Sequence, residues 1–328
     1  MKICTGLLAL CGALFVSAAA AQTASTGAGQ AYPMKPVRMI VPYAAGGNTD
    51  FTARAIAERL GPVLKQQVIV DNRPGGATNI GSDAVAKAPP DGYTLLMGGA
   101  SNAINMSLFT KLSYDTLRDF EPVVLCVQGA NVLSVHPSVP ARNLRELIAL
   151  ARAQPGKLNF ASSGLGSSNH MAGELLKVMA GINIVHVPYK GNAPALTDAI
   201  GGHVEMILSG VPALVPHIQS GRLRAIAIGS LKRFPAIPQV PTFDESGLKG
   251  YEATTWFGLM APAKTSKEIV SRLNTEIDRI IKSAELRERF IADGLEPMGG
   301  SPESFGKFIR AEIDKYARVV KTAAIQRQ

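Results

Sequence analysis

A repeated unit of apolar strand, glycine- or proline-rich turn and amphipathic helix constrains the fold of this chain more than any other feature. In the first unit, the apolar run 37–42 is followed by the turn 44–49 and by a helical pattern that we expect to end at the Gly-Pro pair 61–62. Similar units begin at Val68 and Thr94. Strands that alternate with helices in this way predict a parallel α/β architecture.

The length of the chain and two later apolar runs predict two lobes. The chain has 328 residues, which is long for one hydrophobic core. The runs 123–132 and 254–260 suit extended segments that cross between lobes. We therefore expect the middle of the chain to form one lobe and the two ends to form the other, with a ligand cleft between them. The predicted limits are 32–126 with 255–328 for the first lobe and 127–254 for the second.

The first 21 residues have the pattern of a secretory signal peptide. A positive start at Lys2 precedes the apolar run 7–20, and small residues up to Ala21 offer a cleavage site. The mature protein is therefore expected to be exported. Two of the three cysteines fall inside this segment. The third, Cys126, lies in an apolar run, where we predict a buried structural thiol.

The composition argues against a nucleic-acid partner and against a metal centre. The formal net charge is +9, but the basic residues are scattered and form no run of five. A nucleic-acid interface requires a clustered basic stripe, whereas a mildly positive field favours small acidic molecules. The five histidines show none of the spacings of a metal site, so we predict neither a metal nor a cofactor.

Two glycine- and serine-rich turns, at 159–170 and 185–194, carry the most specific functional signal. Each follows a short apolar run and leads into a helical pattern. Backbone N–H groups at the start of a helix have no partners within it, and the helix dipole adds positive potential there. Because the ends of neighbouring parallel strands share one edge of a sheet, the two turns predict a site for a small anion.

Catalytic and cofactor interpretations of these turns have weaker support. Ser167 or Ser168 with His170 would make a serine hydrolase, the alternative function, but the Gly-x-Ser-x-Gly elbow is absent. The run 164–169 matches half of a dinucleotide fingerprint, with asparagine in place of the third glycine. His170 is equally suited to capping the turn and to contacting a ligand. Asp198 suits bracing of a lobe better than general-base catalysis.

Binding without chemistry accounts for these residues best. A carboxylate that accepts three or four charge-assisted hydrogen bonds gains roughly 5–12 kcal/mol before the cost of association. Micromolar affinity corresponds to about 8 kcal/mol. Neutral donors at helix-opening turns are therefore sufficient to hold a small carboxylate.

Six segments of the chain form a joint pattern. They are YPMKPVRMIVPYAAGGNTD (32–50), DNRPGGA (71–77), PDGY (90–93), SSGLGSSNH (162–170), VPYKGNAP (187–194) and TWFGLMAP (255–262). Together they resemble the Bug family, the periplasmic receptors of tripartite tricarboxylate transporters. Ala44 and Ala45 stand where family members often carry Pro-Pro or Pro-Gly, a departure that leaves the following glycine pair intact.

The resemblance implies an α/β fold of the two-lobed, type II periplasmic-binding-protein kind, with two crossing strands between the lobes. It implies that the protein is not an enzyme but a monomeric receptor in the periplasm that closes on a small carboxylate. The ligand would be a di- or tricarboxylic acid, an amino acid or an aromatic acid. Its partners would be the membrane permease subunits of a tripartite transporter, or a sensor protein.

The resemblance also implies that three loops hold the carboxylate, with ordered water between them. One loop, 43–50, belongs to the first lobe, and the loops 162–170 and 189–193 belong to the second. The residues predicted to bind the ligand are Tyr43, Gly46, Gly47, Thr49, Asp50, Ser101, Asn102, Ser163, Gly166, Ser167, Ser168, His170, Tyr189, Asn192, Ala193 and Asp198. The donors to the carboxylate are expected to be Ser163, Ser168, Asn192 and the backbone N–H of Ala193.

The single tryptophan, Trp256, lies in the second crossing segment. We expect its ring to change exposure when the lobes close, since segments that join moving lobes absorb the rotation. The alternative is a buried core aromatic that does not sense the ligand.

Overall fold

The computed structural model describes residues 32–328 as two β-sheets that share one long strand and are flanked by helices. The strands are β1 (Val37–Val41), β2 (Val68–Asn72), β3 (Thr94–Gly99), β4 (Phe120–Val135), β5 (Asn159–Ser162), β6 (Val185–Pro188), β7 (Met206–Gly210), β8 (Arg224–Ile228), β9 (Thr254–Pro262) and β10 (Leu295–Pro297). The helices are α1 (Asn48–Leu64), α2 (Asn79–Ala86), α3 (Ala100–Leu108), α4 (Leu144–Ala153), α5 (Ser168–Ala180), α6 (Asn192–Ile200), α7 (Val211–Gln219), α8 (Lys267–Ile281), α9 (Ala284–Ala292) and α10 (Pro302–Thr322). The predicted signal peptide, residues 1–21, lies outside the described residues.

Each sheet combines the predicted parallel strands with antiparallel ones. In the first sheet, β1 pairs in parallel with β2 and β3, and the antiparallel strands β9, β4 and β10 follow. In the second sheet, β5 pairs in parallel with β6 and β7, whereas β4 is antiparallel to β7 and β8. The predicted adjacency of the two strands that precede the glycine- and serine-rich turns is therefore confirmed.

The long strand β4 joins the two lobes. Its residues up to Ala130 pair with β9 in the first sheet, and from Asn131 onward they pair with β7 and β8 in the second. The chain returns beside this point, where the Asn131 N–H donates to the Ala253 carbonyl at 3.2 Å. The two-lobed α/β architecture is thus confirmed. The change of sheet falls four residues after the predicted limit at 126, and the lobe limits themselves stay a prediction.

Helices cover both faces of each sheet, so each lobe has two apolar layers. Buried side chains of β1, β3 and β9 pack against α1 and α8 on one face and against α3 and α10 on the other. The second sheet packs against α4 and α5 on one face and against α6 and α7 on the other. Cys126 is fully buried on β4, and burial raises the pKa of its thiol to about 12. The prediction of a structural thiol is confirmed.

One predicted helix end is wrong. The helix α1 does not stop at Gly61 and Pro62 but continues to Leu64, and Lys65 ends it with a φ of 54°. Leu60 and Leu64 are both buried in the first lobe, so the packing of this last turn outweighs the local breaking signal.

The structure also places Trp256 inside the core of the first lobe. Its ring is 0% exposed and makes edge contacts with Phe305 and Phe308, and its indole N–H donates to Glu312 at 3.0 Å. These contacts agree with the alternative, in which Trp256 is a buried core aromatic. They give no support to the expectation that the exposure of this ring changes when the lobes close.

Candidate functional site

Four strand-to-helix turns, two from each lobe, meet across the space that we call the interlobe cleft. They are the β1–α1 and β3–α3 turns of the first lobe and the β5–α5 and β6–α6 turns of the second. The Ser101 hydroxyl donates to the Gly166 carbonyl at 3.0 Å. A Cβ placed on Gly191 would lie 3.7 Å from the Cβ of Ala44. The lobes are therefore in contact, and the turns enclose the cleft from both sides.

In the β1–α1 turn, the two predicted glycines have different roles. Gly46 has a φ of +82°, which favours glycine, whereas Gly47 has an ordinary φ of −87°. Asp50 braces this turn, since its Oδ2 accepts from the Gly46 N–H at 2.9 Å and from Arg54 at 3.0 Å. Burial alone would raise the pKa of Asp50, but these hydrogen bonds hold it below its ordinary value. Thr49 is buried beside it, at the start of α1.

The β3–α3 turn supports the cleft from the first lobe. Asn102 is held inside its own lobe, because its Oδ1 accepts from the Gly99 N–H and its amide donates to Ser82, both at 3.0 Å. Ser101 reaches the other lobe, as described above. Burial raises the pKa of Tyr43 to about 12. The hydrogen bond between its hydroxyl and Ser101 acts in the opposite direction and offsets part of this increase. Tyr43 thus stays a neutral phenol at physiological pH.

In the β5–α5 turn, three serines have distinct partners. Ser167 caps α5, since its Oγ accepts from the His170 N–H at 3.2 Å and donates to the Gly164 carbonyl at 2.7 Å. The hydroxyls of Ser163 and Ser168 each lie 3.3 Å from the Oδ1 of Asn169. The predicted donors of this turn are therefore brought together, and Ser167 has a structural contact instead.

Asn169 is a central residue of this turn and is not among the residues predicted to bind the ligand. Besides its two serine contacts, its amide donates to the Leu208 carbonyl of β7 at 2.7 Å, and its side chain is buried. This bond fixes the amide orientation, so Oδ1 faces Ser163 and Ser168. Local sequence offered only one hint, an asparagine in place of the third glycine of a dinucleotide fingerprint.

His170 is a buried neutral residue whose imidazole ring has no serine hydroxyl as partner among residues 32–328, although its backbone N–H donates to Ser167. Its Nδ1 accepts from the Gly166 N–H at 3.4 Å, and its Nε2 lies 3.9 Å from Glu174. Its ring stacks on His186, with centroids 4.1 Å apart. Burial lowers the pKa of His170 to about 4. Within residues 32–328, the serine–histidine pair of the hydrolase alternative is not assembled.

The β6–α6 turn completes the cleft. The Tyr189 hydroxyl donates to Asp198 at 2.7 Å. Burial is the main cause that raises the pKa of Tyr189 to about 12, and the hydrogen bond to Asp198 is the second. Asp198 thus braces its own lobe. Asn192 accepts from the Ser209 hydroxyl at 2.8 Å, which leaves its amide N–H groups as donors. Ala193 is exposed in the first turn of α6, where backbone N–H groups have no helical partner.

The cleft is rich in neutral donors. Lysine and arginine are absent from the sixteen predicted site residues, and both of their carboxylates already hold partners. Within residues 32–328, no group of three histidine, cysteine or acidic side chains could hold a metal ion. None of the helices in this part of the chain combines the length and apolar character needed to cross a membrane. Helix N-termini and hydroxyls of this kind suit a small anion.

Known proteins of one family are similar to this chain. The family model described as the tripartite tricarboxylate transporter family receptor matches residues 52–325. Protein BugT of Bordetella pertussis is 39% identical over 319 residues, which cover 97% of each chain. The solved structure of R. palustris Rpa4515 with adipate is 38% identical, has a TM-score of 0.87, and covers 90% of this chain and all of its own. MatC of Rhodopseudomonas palustris with bound malate is 30% identical, with a TM-score of 0.84 and coverage of 88% and 100%.

Proposed function

Since the chain belongs to the tripartite tricarboxylate transporter receptor family, we propose that it captures a small carboxylate in the interlobe cleft. One observation carries the proposal. Four helix-opening turns from two lobes face one another with neutral donors, and Lys190, the basic residue of the β6–α6 turn, is exposed. Such donors stabilise an anion without the large desolvation cost of an opposing buried charge.

The ligand class that best fits is a dicarboxylate of about four to six carbons. Two solved members of the family that resemble this chain carry adipate and malate. Both are flexible acids with a carboxylate at each end. Turns on both sides of the cleft offer donors, so one carboxylate can be held by the second lobe while the first lobe contacts the other end.

The donors to the first carboxylate are the hydroxyls of Ser163 and Ser168, the amide of Asn192 and the N–H of Ala193. The two serines already point at one acceptor, the Oδ1 of Asn169, from which they can turn to the ligand. Gly46, Gly47 and Thr49 supply backbone or hydroxyl donors at the start of α1. Asp50 and Asp198 act by holding Gly46 and Tyr189 in place.

The receptor acts in the periplasm as a monomer and delivers its ligand to membrane permease subunits or to a sensor. The family consists of periplasmic binding proteins, and its name states the transporter. No second function is favoured, because the His170 ring accepts from the Gly166 backbone N–H and does not contact the serine hydroxyl that hydrolysis requires.

A melting-shift screen tests this function. The mature protein is heated with malate, adipate, citrate, glutamate and benzoate, and each mixture is then analysed for products. We expect at least one acid to raise the melting temperature in a saturable manner, since a ligand that binds only the native state stabilises it. The acid should be recovered unchanged. Turnover of any acid, or no shift with any carboxylate, would contradict the proposal.

A further inference from the structure

A second cavity lies between the lobes and adjoins the cleft at Ser168 of the β5–α5 turn. We name it the α5–α10 groove. Its volume is about 320 Å³, which reaches the range of small-molecule sites. It is lined by Ser168, Met171, Ala172, Leu175, Val178, Met179, Gly250, Glu252, Ala253, Lys315, Tyr316, Arg318, Val319 and Thr322.

The groove is built from one face of each of two helices. The α5 residues recur at the three- and four-residue spacing of a single helix face, and so do those of α10. The helix α5 packs on β5 and β7 of the second lobe, whereas α10 packs on α3 and β4 of the first. An occupant would therefore touch both lobes and favour the arrangement of the lobes in this structure.

The floor of the groove is firmly held. Tyr251, in the segment that leads into β9, donates to the Ala172 carbonyl of α5 at 2.8 Å. On the other side, the Tyr316 hydroxyl of α10 donates to the Thr254 carbonyl at 3.4 Å. Because the same short segment is tied to both helices, the groove is a formed feature and not a gap between loosely packed surfaces.

The walls of the groove are apolar and adaptable. Leu175, Val178 and Met179 lie along α5, with Val319 opposite. Val178 is 37% exposed, which is unusual for a large apolar side chain in this protein. Methionine side chains adjust readily to different apolar shapes. These walls suit a compact aliphatic or aromatic body.

Charge at the rim indicates the polar end of the occupant. Lys315 is neutralised by Glu312 at 2.5 Å. Arg318 is exposed and has no ion-pair partner within 4 Å among residues 32–328, and Thr322 follows it one turn later on the same face. Glu252, on the floor side, is the one lining carboxylate. An anionic group is therefore complementary to the α10 rim and not to the floor.

We propose that the α5–α10 groove is a second ligand site, for an amphipathic organic anion with a compact apolar body and one anionic group held by Arg318. This site is separate from the carboxylate site of the cleft. It shares only Ser168 with the predicted cleft residues. Its existence does not depend on the cleft ligand.

The probe for this site is 8-anilinonaphthalene-1-sulfonate, which has an aromatic body, one sulfonate and an emission that rises in apolar surroundings. We expect saturable binding of one probe per chain. Arg318→Gln should weaken it roughly five- to thirty-fold through loss of a charge-assisted contact. Val178→Glu should weaken probe binding by about tenfold or more, since it places a negative charge, of the same sign as the sulfonate, against the apolar body of the probe. Glu252→Gln should tighten it.

Two control variants match these changes outside the groove. Arg310→Gln removes an exposed arginine two turns earlier on α10, and Val185→Glu alters a valine of the second lobe that is 41% exposed. Both should leave the probe affinity unchanged. Gly47→Val, which alters the cleft, should leave it unchanged as well. Melting curves by circular dichroism establish that each variant is folded.

Several outcomes would overturn the groove site. They are an absence of saturable probe binding, equal affinity in Arg318→Gln, Val178→Glu and the controls, or loss of the probe in Gly47→Val. Concentration-dependent dimers in sedimentation, abolished by Val178→Glu, would also overturn it, because a second copy would then cover the groove. Affinity of the cleft for malate or adipate is measured in the same variants, so the two sites can fail separately.

Discussion

Adjacent serines at the start of α5 have different partners, so their substitutions should have different effects. Ser168→Ala removes a hydroxyl that lies 3.3 Å from Asn169 and that we propose as a ligand donor, so we expect carboxylate affinity to fall roughly five- to thirty-fold with little change in stability. Ser167→Ala removes the helix cap and should lower the free energy of unfolding by about 1 kcal/mol. Calorimetric titration and urea unfolding of both variants measure the two effects. The assignment is wrong if Ser168→Ala binds as tightly as the unaltered protein.

The stacked pair His170 and His186 should make stability depend on pH. Burial lowers their pKa values from 6.5 to about 4 and about 3, and for His186 the neighbouring His170 contributes as well. The unfolded chain then binds protons that the folded chain does not. Stability should therefore fall as pH decreases from about 6.5 toward 4, by up to about 1.4 kcal/mol per pH unit for each histidine.

The variant His170→Gln tests this dependence. Between pH 6 and pH 4.5, the slope of unfolding free energy against pH should decrease by the amount that corresponds to about one proton. The reason is that the variant lacks one buried imidazole that stays unprotonated in the folded state. Urea unfolding at a series of pH values provides the curve. An identical slope in the variant would show that the acid sensitivity arises elsewhere.

Residues whose role is local were predictable from the sequence, and residues with distant partners were not. Asn143, Ser266 and Ser301 each cap the helix that follows, and such a role can be read from local sequence because a cap requires only the next three residues. Asn169 escaped notice because its role depends on the Leu208 carbonyl, 39 residues away. Asp50, by contrast, has local partners, since it accepts from Gly46 and from Arg54, each four residues away in the chain.

At the scale of elements, the β1–α1 turn offers the sharpest substitution in the first lobe. A Cβ on Gly47 would meet only the Ala44 carbonyl, at 3.7 Å, and its φ of −87° is open to any residue. Gly47→Val should therefore fold normally but place two methyl groups where the ligand approaches. We expect affinity for the cleft ligand to fall at least about tenfold, measured by calorimetry alongside a melting curve.

Two results separate the possible roles of this glycine. Loss of affinity with an unchanged melting temperature would assign Gly47 to the cleft. Near-normal affinity would mean that the glycines only end β1. Gly46→Val is the contrasting variant, since its φ of +82° makes any side chain strained, and it should lower stability as well as affinity.

The order of elements followed from periodicity, whereas one helix end and the sheet partners did not. Alternating apolar strands and amphipathic helices predicted a parallel α/β architecture, and the two glycine- and serine-rich turns predicted that β5 and β6 are neighbours. The antiparallel insertion of β4 and β9 depends on contacts between residues more than a hundred positions apart, such as Gln128 with Trp256. Similarly, α1 passes through Pro62 because Leu64 is buried by tertiary packing.

At the scale of the whole molecule, the contact between lobes should determine how readily the cleft closes. The hydrogen bond from Ser101 to the Gly166 carbonyl joins the β3–α3 turn to the β5–α5 turn. Ser101→Ala removes it, and a bond of about 1 kcal/mol changes a two-state equilibrium roughly fivefold. We expect the ligand-free variant to show a larger radius of gyration in small-angle X-ray scattering than the unaltered protein.

Ser107→Ala is the matched control for this effect. It removes a hydroxyl from the same helix, α3. Among residues 32–328, the Ser107 hydroxyl makes no hydrogen bond to the second lobe. Its radius of gyration and ligand affinity should equal those of the unaltered protein. If Ser101→Ala scatters identically to this control, the Ser101 contact does not bias closure.

The central claim is that donors from both lobes hold the charge of a small carboxylate. Calorimetric titration of the mature protein with the tightest dicarboxylate of the panel and with its neutral diamide tests this most directly. We expect one molecule of acid bound per chain and a diamide at least about a hundredfold weaker, since charge-assisted hydrogen bonds are lost at both ends. Equal affinity for the acid and the diamide would contradict it.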